Sequence, residues 1–246
     1  MRPRRGVRRG GGRLLDVEYL TGADGRRLVA FGYWAGYAGA SLGLLAARGA
    51  IEAPLSPMSK DALDDRLRSS TPAADEAALV VGAWGRSGRG AVDALAVGGI
   101  TATTWDRAET DPIDRDRLRA HTLLVNCVAV STPREPFVTA ADLDAPGSRL
   151  AVLTDVTCDV TSDLNLLPVN TSTTSWEEPV RTLRDGERTV QVVAIDNLPS
   201  LLPAEASATF SHDLLPQLLG LDAMTAPWQH ALEVFDTTSA AVLGPA

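Results

Sequence analysis

The chain has 246 residues, 45% of them hydrophobic and 22% charged, and a formal net charge of −8. That balance indicates a folded protein of one large domain or two modest ones, and it argues against nucleic acid as the main partner. Two cysteines, Cys127 and Cys158, make neither a disulfide framework nor a metal site.

The start is basic, RPRRGVRRGGGR over residues 2–13, and reads as a solvated surface segment because it has no aromatic residue for base stacking. Asp16 and Glu18 interrupt any apolar signal core after it, so the cytoplasm is the expected location. Residues 13–31 read as a β-hairpin: RLLDVEYL and RRLVAF are joined by TGADG, whose Asp24-Gly25 suits a tight turn. Residues 32–48, GYWAGYAGASLGLLAAR, predict a helix with Gly36, Gly39, Ala40 and Gly43 on one small-residue face. Glycine weakens a helix interior, so its repetition signals close backbone packing. The apolar segment 29–47 is read as a buried helix and not as a membrane span. Residues 52–76 contain Pro54, Pro57 and Pro72 around a short helix near 59–68, the pattern of a linker or domain rim.

From residue 77, strand and helix patterns alternate. ALVVG (78–82), TATTWD (101–106), TLLVNCVAV (122–130), RLAVLTDVTC (149–158) and VQVVAID (190–196) read as strands, several of them nearly continuous apolar runs. Such runs suit strands covered on both faces, which predicts an α/β fold with a Rossmann-type parallel sheet and helices on both faces. GRGAVDALAVG (88–98) is the helix after the first strand, and residues 184–187 turn a hairpin before the last. Two helices close the chain, 203–220 and 227–243; Pro216 is expected to kink or break the first of them.

The main local motif is the loop Gly82-Ala83-Trp84-Gly85-Arg86-Ser87-Gly88, between an apolar strand and a helix. In a dinucleotide loop Gly82 serves the tight turn, Gly85 admits the pyrophosphate and Gly88 lets helix and strand pack closely. The helix N-terminus then presents its amides and positive dipole end to phosphate, with Arg86 adding charge. The spacing is GxxGxxG instead of GxGxxG, so a strand–helix turn with no ligand is the competing reading. Asp106 favours the nucleotide: it ends the second strand, where a carboxylate accepts from ribose hydroxyls and prefers NAD to NADP. Arg107 follows at once, which leaves tolerance for NADP open.

Asn126, Cys127 and Asp155 end consecutive apolar runs, so residues near 127–130 and 154–157 fall where an open sheet binds its ligand. Cys127 reads as a small buried residue before it reads as a nucleophile. Asp196 serves either as a cap or as a cofactor contact. His121, His212 and His230 form no set with other groups, and Ser211-His212-Asp213 are adjacent residues, unlike a triad. Lys60 is the only lysine, placed in the linker.

These features converge on a resemblance. The chain resembles the NAD-dependent, L-lysine-forming saccharopine dehydrogenases, within the alanine dehydrogenase and transhydrogenase group. Gly12–Leu20 (GRLLDVEYL), Ala30–Gly43, Leu79–Asp93, Val125–Val128 and the long Ala194–Leu215 carry it, in order along almost the whole chain. The resemblance implies oxidation of saccharopine to L-lysine and 2-oxoglutarate with NAD as hydride acceptor. It also implies a discontinuous first domain, of which residues 1–75 and 200–246 are the remnant, beside a cofactor domain at 76–199. The NAD contacts it implies are Gly85 and Arg86 at the pyrophosphate, Asp106 at the ribose, Thr110 near the adenosine, Ala129 and Val156 along the crevice, and Ile195, Asp196, Asn197 and Leu198 toward the nicotinamide. Fungal members of the family have cysteine where this chain has Ser87, and histidine where it has Asn197. The family's catalytic lysine and histidine and its substrate arginine precede the segment matching Gly12–Leu20, and no residue here corresponds to them. The resemblance therefore implies an N-terminally truncated enzyme with no catalytic residue of its own. Its partners would be a small amino-acid substrate and either a second copy or a complementary N-terminal chain.

Overall fold

The structure, a computed structural model, describes residues 12–186 and 188–243. The basic run at 2–13 therefore lies almost wholly outside the described residues, as does Glu187 of the expected hairpin turn. By contact the chain forms two compact units, Gly32–Ala206 and the pair of segments 1–31 and 207–246.

The larger unit holds a six-stranded sheet flanked by helices. Its elements are α1 (Gly32–Ala47), α2 (Lys60–Ser69), β1 (Ala78–Val81), α3 (Arg86–Val97), β2 (Thr103–Trp105), α4 (Arg107–Thr110), α5 (Arg115–Arg119), β3 (Leu123–Asn126), α6 (Ala140–Asp144), β4 (Val152–Asp155), β5 (Arg181–Arg184) and β6 (Val190–Val193). Strand order is β2-β1-β3-β4-β6-β5. All neighbours are parallel except β5 and β6, which form the expected hairpin. The chain leaves β1 for β2 on one side and returns to β3 on the other, which creates a switch point at the carboxyl ends of β1 and β3.

Alternation along the strands explains the two-sided cover. Ala78, Val80, Leu123, Val125, Val152 and Val193 face one core with α1 and α3. Leu79, Val81, Leu124, Leu153, Val190 and Val192 face the other, with Trp105, Leu118, Phe137 and Leu143. Period-two alternation of apolar side chains on both faces produces the unbroken apolar runs seen in the sequence.

Residues 32–75 belong with the sheet, so the compact units divide at 31/32 and 206/207 where the sequence suggested 75/76 and 199/200. The reason is α1. Eleven of its residues, Gly36–Ala46, are buried. A side chain at Gly36 would overlap the Ser87 backbone, and one at Gly90 would overlap the Tyr33 carbonyl. A glycine on each helix admits the backbone of the other, which lets α1 and α3 approach at backbone distance. Arg48, just past α1, fixes the helix to the amino end of the sheet. Its guanidinium donates to both Glu76 oxygens (2.8 and 2.7 Å), the Ser70 hydroxyl (2.9 Å) and the Leu67 and Gly98 carbonyls (3.1 and 2.8 Å).

In the smaller unit the expected hairpin at 13–31 is corrected. Val17–Tyr19 is a single 3-10 turn, and only the bridge Thr21–Arg27 remains, closed by the turn at Gly22–Gly25. Leu20 and Val29 instead bury against Trp228 and Ala231 of the last helix, which satisfies the apolar residues without strand partners. The closing helices are α7 (Pro203–Leu219) and α8 (Ala226–Leu243). α7 runs unbroken through Pro216, so of the expected kink or break the break does not occur. The carbonyl that Pro216 leaves unbonded belongs to His212, an exposed residue, so the lost bond falls on the solvent side of the helix. No helix among the described residues is long and apolar enough to cross a membrane.

Candidate nucleotide cleft

The β1–α3 loop sits at the switch point. Gly82 has φ +80° and would bring a side chain to 2.7 Å from Val128 Cγ2. Left-handed backbone pressed against the β3 loop accommodates only glycine without strain. At Gly88 a side chain would overlap the Gly82 carbonyl and the Ala83 backbone. Gly85 is the N-cap of α3 and offers no side-chain acceptor to the first-turn amides, so these point outward, as an anion site requires. Trp84, at the loop tip, is 68% exposed.

Beside this loop lies a cleft of about 500 Å³, lined by Asp106, Arg107, Thr110, Val128, Ala129, Val130, Ser131, Thr132 and Arg134. β2 delivers Asp106, which caps α4: its carboxylate accepts from the Arg107 amide (2.9 Å), while the Asp106 amide donates to Glu109 (2.8 Å). This reciprocal cap holds the carboxylate at the end of the strand. Thr110 lines the same cleft while its hydroxyl donates to the Asp106 carbonyl (2.9 Å). β3 stops at Asn126, four residues short of the expected end, because residues 128–130 turn into the cleft wall.

The next strand end is locked. Asp155 is 1% exposed. Its Oδ1 accepts from Asn126 (3.3 Å), from the Thr157 amide and hydroxyl (3.2 and 2.7 Å) and from the Cys158 amide (3.3 Å). Burial, with the charges of Asp155 and Asp196, pushes the Cys158 thiol up to about 12, and burial beside Asp155 raises Cys127 further. Neither thiol is a thiolate near neutral pH.

The candidate site residues thus fall into two groups. Gly82, Gly85, Arg86, Gly88, Asp106, Thr110 and Ala129 gather at the switch point and its cleft. Val156, Ile195, Asp196, Asn197 and Leu198 lie along the ends of β4 and β6. There Ile195 and Leu198 are 2% exposed and packed in the core, Val156 is half-buried against it, and Asp196 and Asn197 are exposed. Asn197 turns the chain with φ +65° into the 3-10 helix Leu198–Leu201. Sequence reasoning passed over Ser131, Thr132 and Arg134 in the cleft wall; a polar stretch after a switch-point strand was the available signal.

Potential proton-transfer groups are engaged elsewhere. Lys60 Nζ pairs with Asp64 at 2.6 Å, and Tyr37 donates to the same carboxylate. Although burial opposes it, bonding to Asp64 and Tyr37 raises the Lys60 ammonium above its ordinary range, so it is no base at neutral pH. Burial lowers His121, which is therefore neutral: Nδ1–H donates to the Arg117 carbonyl (2.9 Å), and the Thr103 hydroxyl donates to Nε2 (2.9 Å).

No family model matches the chain. Among curated proteins it is 39% identical to the saccharopine dehydrogenase [NAD(+), L-lysine-forming] of Neurospora crassa, covering 93% of this chain and 67% of that protein. The proteins of the same name from Emericella nidulans and Candida glabrata are 37% and 34% identical, each covered over 68% of its length. Among solved structures, an L-alanine dehydrogenase matches with a TM-score of 0.54 at 17% identity, over 90% of this chain and 62% of that one. The transhydrogenase of Sinorhizobium meliloti matches at 0.52 and 16%, over 88% of this chain and 62% of that one. The solved structures establish a shared Rossmann-like α/β fold. The sequence relatives establish more: the chain belongs to the family of NAD-dependent, L-lysine-forming saccharopine dehydrogenases.

Proposed function

We propose that the chain binds NAD at the switch point and forms the cofactor-binding part of an oxidoreductase acting on saccharopine. The observation that carries this reading is the loop itself, where Gly82 and Gly88 leave no room for side chains beside a cleft that ends in a capped aspartate. These residues fit the cofactor. The α3 amides, Gly85 and Arg86 would hold the pyrophosphate; Asp106 would accept from the ribose hydroxyls; Thr110 and Ala129 would flank the adenosine. Val156, Ile195, Asp196, Asn197 and Leu198 would bound the nicotinamide end, the buried members through their backbone.

NAD, when bound, accepts hydride from the carbon of a secondary amine. In the proposed reaction saccharopine, NAD and water give L-lysine, 2-oxoglutarate, NADH and a proton, through an imine that water hydrolyses. This chain's part is to orient the dinucleotide and keep one face of it against the sheet. Calorimetry with NAD tests the binding. Unchanged NAD affinity in Asp106→Ala would sink the ribose assignment.

A second reading is a dinucleotide-binding protein without the family reaction, or one half of a split enzyme. The engagement of Lys60 with Asp64 and of His121 with Thr103 favours it, because neither is poised to move a proton at a substrate. Saccharopine-dependent NADH formation by the chain alone contradicts the second reading; NAD binding without it supports that reading. Activity that appears only on adding a complementary polypeptide identifies the split form.

A further inference from the structure

Resting on the reading of this cleft as the adenosine site, we propose that it accepts the 2′-phosphate of NADP as well as the free ribose of NAD, through Arg107 and Arg134. The charged groups lining the cleft are Asp106, Arg107 and Arg134, so cations outnumber the carboxylate. The carboxylate is also partly spent: it accepts from the amides of Arg107 and of Glu109 in the α4 cap. Hydrogen bonds to backbone N–H groups spread its charge and reduce the repulsion that an aspartate at this position usually exerts on a phosphate.

The arginines are available. Arg107 is exposed, directly after the ribose-binding aspartate, and makes no ion pair among the described residues. Arg134 pairs with Asp111 at 3.4 Å, and that aspartate is 72% exposed. A long, solvent-facing pair is weak and yields to a phosphate dianion, which a guanidinium meets with two parallel hydrogen bonds. Glu109 is not among the residues lining the cleft, and its carboxylate is held by the Asp106 amide at 2.8 Å. Ser131 and Thr132 add hydroxyl donors on the facing wall.

Calorimetry of the intact chain with NAD, NADP, 2′-AMP and 5′-AMP tests this. The expected result is NADP affinity within about tenfold of NAD, and 2′-AMP binding tighter than 5′-AMP. In Arg107→Ala and Arg134→Ala the ratio of NADP to NAD affinity falls about tenfold or more, the loss of one charge-assisted phosphate contact. NAD binding with NADP weaker by more than about a hundredfold overturns the inference and leaves the NAD reading intact. Failure of all four nucleotides to bind overturns the reading beneath it. The mononucleotide comparison needs no substitution, so a variant that misfolds does not blunt the test.

Discussion

The two ends of the parallel sheet are built on opposite principles. At the amino end Arg48 is 2% and Glu76 10% exposed at the side chain, and the guanidinium bonds both the carboxylate and the Ser70 hydroxyl. At the carboxyl end Arg107 and Arg134 line a cleft, and the first-turn amides of α3 have no capping side chain. The same strands join both ends. Fixed contacts at one end hold the strands and helices in place; the other keeps an uncapped helix start and cleft-lining arginines, donors that the proposed dinucleotide would engage. Stability and recognition are thus divided along about four residues of strand.

The comparison predicts which substitutions harm folding and which harm binding. The largest effect is expected for Arg48→Ala, which leaves Glu76 buried without its cation and costs about 3–5 kcal/mol. Chemical denaturation measures it, and a loss under about 1 kcal/mol contradicts the locked end. Gly88→Val comes next: overpacking costs about 1–3 kcal/mol and abolishes NAD binding by displacing the loop. Retained NAD binding in that variant would remove the close contact from the account. Asp106→Ala is expected to weaken NAD binding by about 1.5–3 kcal/mol, tenfold or more, with a smaller stability loss of about 1 kcal/mol from the missing cap.

The smallest effect is a pH dependence. Burial opposes the Glu76 carboxylate, but hydrogen bonds from Arg48 and the Ala73 amide outweigh burial and lower it below the ordinary carboxylate range. A depressed carboxylate binds fewer protons folded than unfolded, so its stability is present above the unfolded value near 4.3 and disappears as pH falls through the folded one. Glu76→Gln should flatten the acid limb of a stability–pH curve; an unchanged limb assigns acid sensitivity elsewhere.

Much of this division was legible in the chain. The period of Ala78–Val81 and the glycines at 82, 85 and 88 located the sheet and its loop, since both depend on local sterics. The glycine face of α1 announced close packing but not its partner, because Gly36 meets Ser87 across 51 positions of sequence. Strand ends were overestimated at β3 and β4: TLLVNCVAV stays apolar past Asn126 because cleft walls are apolar as well. RLLDVEYL misled for a related reason: Leu20 is buried with Trp228 from the far end of the chain, and Leu15, Val17 and Tyr19 pack partly buried against that cluster. Arg134 was passed over although the polar stretch after β3 marked it, because the residues just before that stretch were read as the continuation of an apolar strand and not as a cleft wall.

Trp84 gives the open end a practical property. Trp105 and Trp228 are 1% and 3% exposed and report on the interior, whereas the Trp84 indole stands in solvent between Gly82 and Gly85 of the glycine loop. Selective quenching by a dissolved solute reaches that ring first. The loop therefore carries an optical label of its own, through which ligand arrival is observable without any attached dye.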